Sequence, residues 1–108
     1  EYLTRVVRNL LENACRYAPE GSQIVISAEP DKENGMAVFR VADSGPGIPP
    51  ELRVRVFERF YRVEKHRGGQ VSTGLGLAIC KHIVERHGGC ISIEDGPGCI
   101  VKFTVPLA

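Results

Sequence analysis

No stretch of this sequence is apolar for long enough to span a bilayer, and no charged start followed by an apolar run marks a signal peptide. The expectation is a soluble domain, compatible with its being cut from a membrane protein. Charge of one sign is also missing: 14 Lys and Arg face 13 Asp and Glu, for a net charge of +1. Nothing global therefore points to nucleic acid or an acidic membrane surface. The chain has no CxxC pair and no clustered histidines, which argues against zinc. Its four cysteines, Cys15, Cys80, Cys90 and Cys99, stand in apolar contexts. Cys90 and Cys99 could approach across a strand pair, but buried reduced thiols in a cytosolic protein are the expectation. No GxxxxGK[ST] occurs, so a Walker-type phosphate loop is excluded, and there are no repeats or low-complexity segments. A chain of 108 residues is one domain with one core.

What is present begins with a helix expected over Tyr2 to Tyr17 and stopped by Pro19 and Gly21. Leu3, Val7, Leu10, Leu11, Ala14 and Ala18 fall within one arc of it, suited to docking on a core. Asn9, Asn13 and Arg16 form a second row on a different face. Asparagine competes with the helix backbone for hydrogen bonds, so two in mid-helix need a reason. An amide oxygen can ligate a hard cation, an amide NH2 can donate to phosphate, and a guanidinium can neutralise it. A solvated polar face is the plainer alternative.

Two strands follow, Gln23 to Glu29 and Met36 to Asp43, joined by a six-residue turn as in an antiparallel hairpin. With Phe39 and Val41 facing the helices, strand alternation carries Asp43 to the same side, where its carboxylate must find a donor. The competing reading is that Asp43 and Ser44 only start a turn. The run DSGPGIPP then sets Gly45 and Gly47 two apart before a proline pair, a rigid backbone that a planar or anionic ligand can approach. It is not a Rossmann fingerprint, because no third glycine opens a helix.

A short helical turn is expected over Glu51 to about Val56. From Phe57 to Thr73 aromatics, cations and glycines mix without regular pattern, as in a lid or, equally, a solvated basic loop. Thr73-Gly74-Leu75-Gly76-Leu77 then opens a helix running to about His87. Thr73 is its candidate N-cap, and the glycines leave the first turn's N–H groups open to an anion. Two strands, Cys90 to Asp95 and Cys99 to Val105, finish the domain, with Ile91, Ile93, Val101, Phe103 and Val105 on one buried face.

These residues resemble the catalytic, ATP-binding domain of sensor histidine kinases, within the wider superfamily that includes gyrase, the ninety-kilodalton heat-shock chaperone and mismatch-repair ATPases. NLLENACRYA resembles the asparagine box, DSGPGI the first glycine box, FERFYR the aromatic box, TGLGLAI the second glycine box and GPG before VKFTVPL the third. The resemblance covers the whole chain, 1–108. It implies an α+β fold: a two-layer α/β sandwich of the Bergerat type, with a mixed, mostly antiparallel sheet, helices on one face and a mobile ATP lid at about 57–73. It implies that Asn13 ligates Mg2+, with Asn9, Arg16 and Tyr17 near phosphates and nucleotide. Asp43 would accept from the adenine amine, with Gly45, Gly47 and Ile48 beside the base. Tyr61 and Arg62, with Arg59, would be lid contacts, and Thr73, Gly74, Leu75, Gly76 and Leu77 the turn at the phosphates.

Two departures are minor: Cys99 stands where a hydroxyl residue is frequent, and Arg16 where lysine is also common, with altered donor geometry. The one at Asn9 matters more. Water-splitting members of the superfamily carry a glutamate general base four residues before the metal-binding asparagine, and an amide cannot take a proton from water. The expectation is a domain that orients ATP for another nucleophile and hydrolyses it poorly. None of His66, His82 or His87 has a phosphoacceptor context. The resemblance thus implies transfer of the gamma-phosphoryl to a histidine on a separate helical dimerisation domain, then to an aspartate of a response regulator receiver domain. It also implies a bacterial inner-membrane sensor whose cytoplasmic piece this is, monomeric by itself and not engaging nucleic acid. The alternatives are an anti-sigma-type serine kinase and a nucleotide-binding module without phosphotransfer, with a gyrase-like ATPase disfavoured by Asn9.

Overall fold

The computed structural model describes residues 2–45, 47–58 and 76–107, with only the backbone of Tyr17. Six elements carry the fold: α1 (Tyr2–Tyr17), β1 (Val25–Asp31), β2 (Met36–Ala42), α2 (Gly76–Arg86), β3 (Ile91–Glu94) and β4 (Ile100–Pro106). Two short 3-10 turns, Pro50–Leu52 and Arg55–Phe57, occupy the stretch expected to form one helical turn. The first strand starts later than the sequence suggests and runs to Asp31, which shortens the hairpin turn to residues 32–35, where Gly35 takes the left-handed backbone that only glycine adopts freely.

The strands lie in the order β1-β2-β4-β3, and every described pairing is antiparallel. This narrows the expected mixed sheet. β2 and β3, joined through α2, run parallel to each other, but β4 inserts between them, so they share no hydrogen bonds. Alternation sets which side of the sheet is buried. Rows of paired residues cross it on the helix side: Phe39, Phe103 and Ile91 in one, Val41, Val101 and Ile93 in the next. Phe39 and Phe103 stack with ring centroids 5.0 Å apart.

Onto this face α1 lays Val6, Leu10 and Ala14, and α2 lays Cys80 and Val84, which with Phe103 form the dry centre of the core. Val6 corrects the helical arc read from the sequence, which omitted it: the buried stripe is Val6, Leu10, Ala14, spaced four apart, while Leu3, Val7 and Leu11 flank it half-buried. The ends of the helices are fastened together as well. Tyr2 stacks on His87, rings 3.6 Å apart and 8° from parallel. His87 Nδ1 lies 2.8 Å from the carbonyl of Ile83, one turn back along α2.

All four cysteines are free. Cys80 and Cys99 are buried as expected, but Cys15 and Cys90 are exposed, a correction that follows from their positions outside the Val6 and Ile91 stripes. Nor do Cys90 and Cys99 approach each other. Thr104 N–H donates to the Cys90 carbonyl at one end of the β3–β4 pair, whereas the register ending at Glu94 and Ile100 leaves Cys99 at the other.

The sheet's other face, where Val38 and Ile100 alternate with charged residues, is tied by charge. Arg40 on β2 donates through Nη1 to Glu29 of β1 at 2.7 Å and through Nε to Glu94 of β3 at 2.8 Å, reaching across β4, whose Lys102 stands 4.0 Å from the same Glu94. These contacts hold the Glu94 carboxyl below its ordinary value, chiefly through the Arg40 hydrogen bond, and raise Arg40. The folded chain binds the Glu94 proton less tightly than the unfolded one. The contribution is thus fully present above the unfolded carboxylate value and is lost as pH falls through the lower folded value.

Two outcomes follow from this packing. Leu10→Ala should lower the unfolding free energy by about 2–5 kcal/mol, as for other buried leucines, whereas Val25→Thr on exposed β1 should change little in the same urea denaturation. Arg40→Gln should lower the urea midpoint at pH 7 and flatten its decline in acid. Parallel acid limbs in the two proteins would show that the charge network contributes nothing.

Candidate functional site

Two polar rims border the core where α1, α2 and the ends of β2 and β4 meet. The first is the asparagine row. Asn9 and Asn13 are half-buried beside Leu10 and Ala14. The Cys80 thiol of α2 donates to the Val6 carbonyl across 3.7 Å, and Asn9 stands beside that thiol. Burial pushes that thiol up to about 11, with Asn9 and the nearby Arg5 charge pulling the other way. Cys80 lies one turn along α2 from Gly76. The row on α1 therefore faces the described start of α2, where Leu77 packs on the core.

The second rim is built from glycines. The β2–β4 pairing continues one step past Ala42, as Asp43 N–H donates to the Cys99 carbonyl at 2.9 Å. This presses Gly98 onto Asp43 so closely that a Cβ there would sit 1.9 Å from the Asp43 carbonyl oxygen. Gly47, with φ +77°, lies against the Gly98 carbonyl. Asp43 is half-buried and its Oδ1 accepts from Gly45 N–H at 2.7 Å. The turn alternative raised by the sequence is thus real, yet it engages one carboxylate oxygen and fixes the direction of the other. Burial, and then the Asp43 charge, push the Cys99 thiol up to about 11, so it stands protonated beside the carboxylate.

Arg53, which the sequence reading passed over, closes this rim from outside: its Nε donates to the Ile48 carbonyl at 2.9 Å and its Nη1 pairs with Asp95. No spacing in ELRVRVF separates it from Arg55, so only the fold reveals it.

The structure brings Asp43, Gly45, Gly47 and Ile48 together on one rim, and Asn9 toward the Gly76–Leu77 end of α2 on the other. Ala14, Val41, Ile48, Leu77 and Cys99 belong to the single core that carries both. Arg16 is half-buried on the last turn of α1. With Leu3, Val7, Leu11, Glu12 and Cys15 it lines a groove of about 920 Å³ along the outward side of the helix. That groove contains neither asparagine, because residues 7, 11 and 15 turn well away from 9 and 13. Arg59, Tyr61, Arg62, Thr73, Gly74, Leu75 and most of the expected lid lie outside the described residues, as does the side chain of Tyr17.

Known proteins share this fold. The chain matches the family of histidine kinase-, DNA gyrase B-, and HSP90-like ATPases over residues 1–108. It is 44% identical over 107 residues to the sensor histidine kinase WalK of Bacillus subtilis (strain 168), covering 96% of this chain and 18% of WalK. Among solved structures it is similar to the mycobacterial sensor histidine kinase MprB, with a TM-score of 0.84, 36% identity, and coverage of 97% of this chain and 70% of that one. Full-length ShkA, solved in complex with AMPPNP, gives a TM-score of 0.84 at 29% identity over 99% of this chain and 22% of its own. Whole-length agreement in sequence and overall fold places the chain in the histidine kinase-, DNA gyrase B-, and HSP90-like ATPase family, as the ATP-binding catalytic domain of a two-component sensor histidine kinase.

Proposed function

We propose that this domain holds Mg-ATP between its two rims and presents the gamma-phosphoryl to a histidine on a separate helical dimerisation domain, from which it passes to an aspartate of a response regulator receiver domain. Asp43, with Gly45, Gly47 and Ile48, reads the adenine amine, and Asn9, Asn13 and the start of α2 face the phosphates. The AMPPNP bound by ShkA supports a triphosphate in this fold. Magnesium takes hard oxygen donors, is held by few protein ligands and relies on substrate phosphates for the rest, and the half-buried Asn13 offers an amide oxygen of that kind. When bound, the ion would neutralise phosphate charge; Asn13 is the residue that would hold it.

One observation carries the transfer reading over hydrolysis. The row offers at Asn9 an amide beside a protonated thiol, and the neighbouring carboxylate, Glu12, is exposed and lines the outward groove. The described row therefore supplies no acceptor for a water proton. What it can do is orient and neutralise, which leaves the attack to a nucleophile brought by a partner.

The chain spans 18% of the length of WalK, so the partner domain, the receiver and a membrane anchor belong to the same proposal. No described helix is long and apolar enough to cross a membrane.

Asn13→Ala and Asp43→Ala should each weaken Mg-ATP binding about 10- to 100-fold, the scale of a lost charge-assisted hydrogen bond, with the fold kept in circular dichroism. Unchanged titrations for both would refute the site. Wild type should hydrolyse ATP slowly yet label an added dimerisation domain from gamma-labelled ATP, and Asn9→Glu should hydrolyse faster. Robust hydrolysis by wild type, or absence of label on the added domain, would count against a histidine kinase mechanism.

A further inference from the structure

The purine rim consists of two loops rich in glycine, 43–48 and 95–99, and glycine segments lose more conformational freedom on ordering than any others. One backbone hydrogen bond, Asp43 N–H to the Cys99 carbonyl, joins them at the strand end. Farther out, Gly47 and Gly98 only touch. The directional link there comes from a side chain: Arg53 donates to the Ile48 carbonyl of the first loop and pairs with Asp95 of the second.

We infer that Arg53 is a positioning residue for adenine recognition, clamping the loop that follows Asp43 against the loop that ends in Gly98. The inference rests on the reading of Asp43 as the acceptor for the adenine amine. Its physical basis is the guanidinium fork, which presents two donors in fixed relation, one to the Ile48 carbonyl and one to the Asp95 carboxylate, and so limits how far the two loops can part. A lysine can satisfy one partner at a time. The two contacts are unequal. The Asp95 side chain is 90% exposed, whereas that of Arg53 is 23% exposed, so the exposed ion pair orients the guanidinium and the sheltered bond to Ile48 does most of the holding. Freed from the clamp, the loop around Gly47 relaxes, and a shift of an ångström is enough to spoil a hydrogen bond from the base.

The test compares ATP with inosine triphosphate, in which a carbonyl replaces the exocyclic amine, by titration of the 108-residue chain. Wild type should prefer ATP. Arg53→Ala should lose about 10-fold in ATP affinity, the scale of one charge-assisted hydrogen bond, and much less for inosine triphosphate, so that the preference narrows. Arg53→Lys should restore part of it, and Asp95→Asn should narrow it slightly. An unchanged ratio in Arg53→Ala and Asp95→Asn overturns the inference, whether both affinities hold or both fall together with the melting temperature. Should Arg53→Ala fail to fold, the ratio in Arg53→Lys and Asp95→Asn decides. Asp43→Ala is run alongside. If it abolishes the preference while the Arg53 variants keep it, the clamp alone is refuted; if wild type shows no preference, the purine reading falls and the clamp with it.

Discussion

The contact on which the rest depends is that between Gly98 and the main chain of Asp43. β2 and β4 lie side by side, and their pairing extends one hydrogen bond beyond the sheet, from Asp43 N–H to the Cys99 carbonyl. At that point the two backbones come closer than any Cβ allows. From this closeness follow the turn that engages one oxygen of Asp43 through Gly45, the seat of Gly47 on the Gly98 carbonyl and the burial of Cys99. A carboxylate at a strand end is ordinary. One whose backbone is pinned from behind and whose side chain is bonded sideways has a single direction left in which to act.

The helix layer solves a different problem, which is to place polar groups beside a dry core without burying them unpaired. α1 does this by putting Asn9 and Asn13 one residue before Leu10 and Ala14, so that each amide rides on the shoulder of a buried side chain. Asn9 stands beside the Cys80 thiol, and that thiol donates to the Val6 carbonyl. The bond ties α1 to α2 next to the row, while Tyr2 and His87 fasten the two helices at the opposite end. A polar row facing the start of a helix is suited to holding anions, the role proposed for it above.

Much of this is legible in the sequence because it is local. Periodicity gives α1 from Tyr2 to Tyr17 and the buried alternation of Val101, Phe103 and Val105, and the glycine boxes give the rim, since a glycine that cannot be replaced leaves its mark in the residue itself. What was not legible depends on partners far away along the chain. Val6 is buried because α2 crosses α1 beside it, and a wheel drawn for α1 alone cannot know where its neighbour lies. The separation of Cys90 from Cys99 is set by strand register. Arg53 looks like any surface arginine until Ile48 and Asp95, on either side of it in sequence, are seen to meet around it. The residues expected in the lid, Arg59, Tyr61 and Arg62, lie outside the described residues and rest on resemblance.

The placement of β4 has a bearing on how the chain is made. It is the last of the described strands in sequence, yet it lies inside the sheet and brings with it Phe103, the largest fully buried side chain among the described residues, as well as Gly98 at its entry. A chain made only as far as α2 holds two helices and a hairpin but lacks Phe103 and the strand that joins β2 to β3. β4 therefore closes the sheet from within, after the strands on both sides of it have been made, and the rim at Gly98 takes shape in that same step.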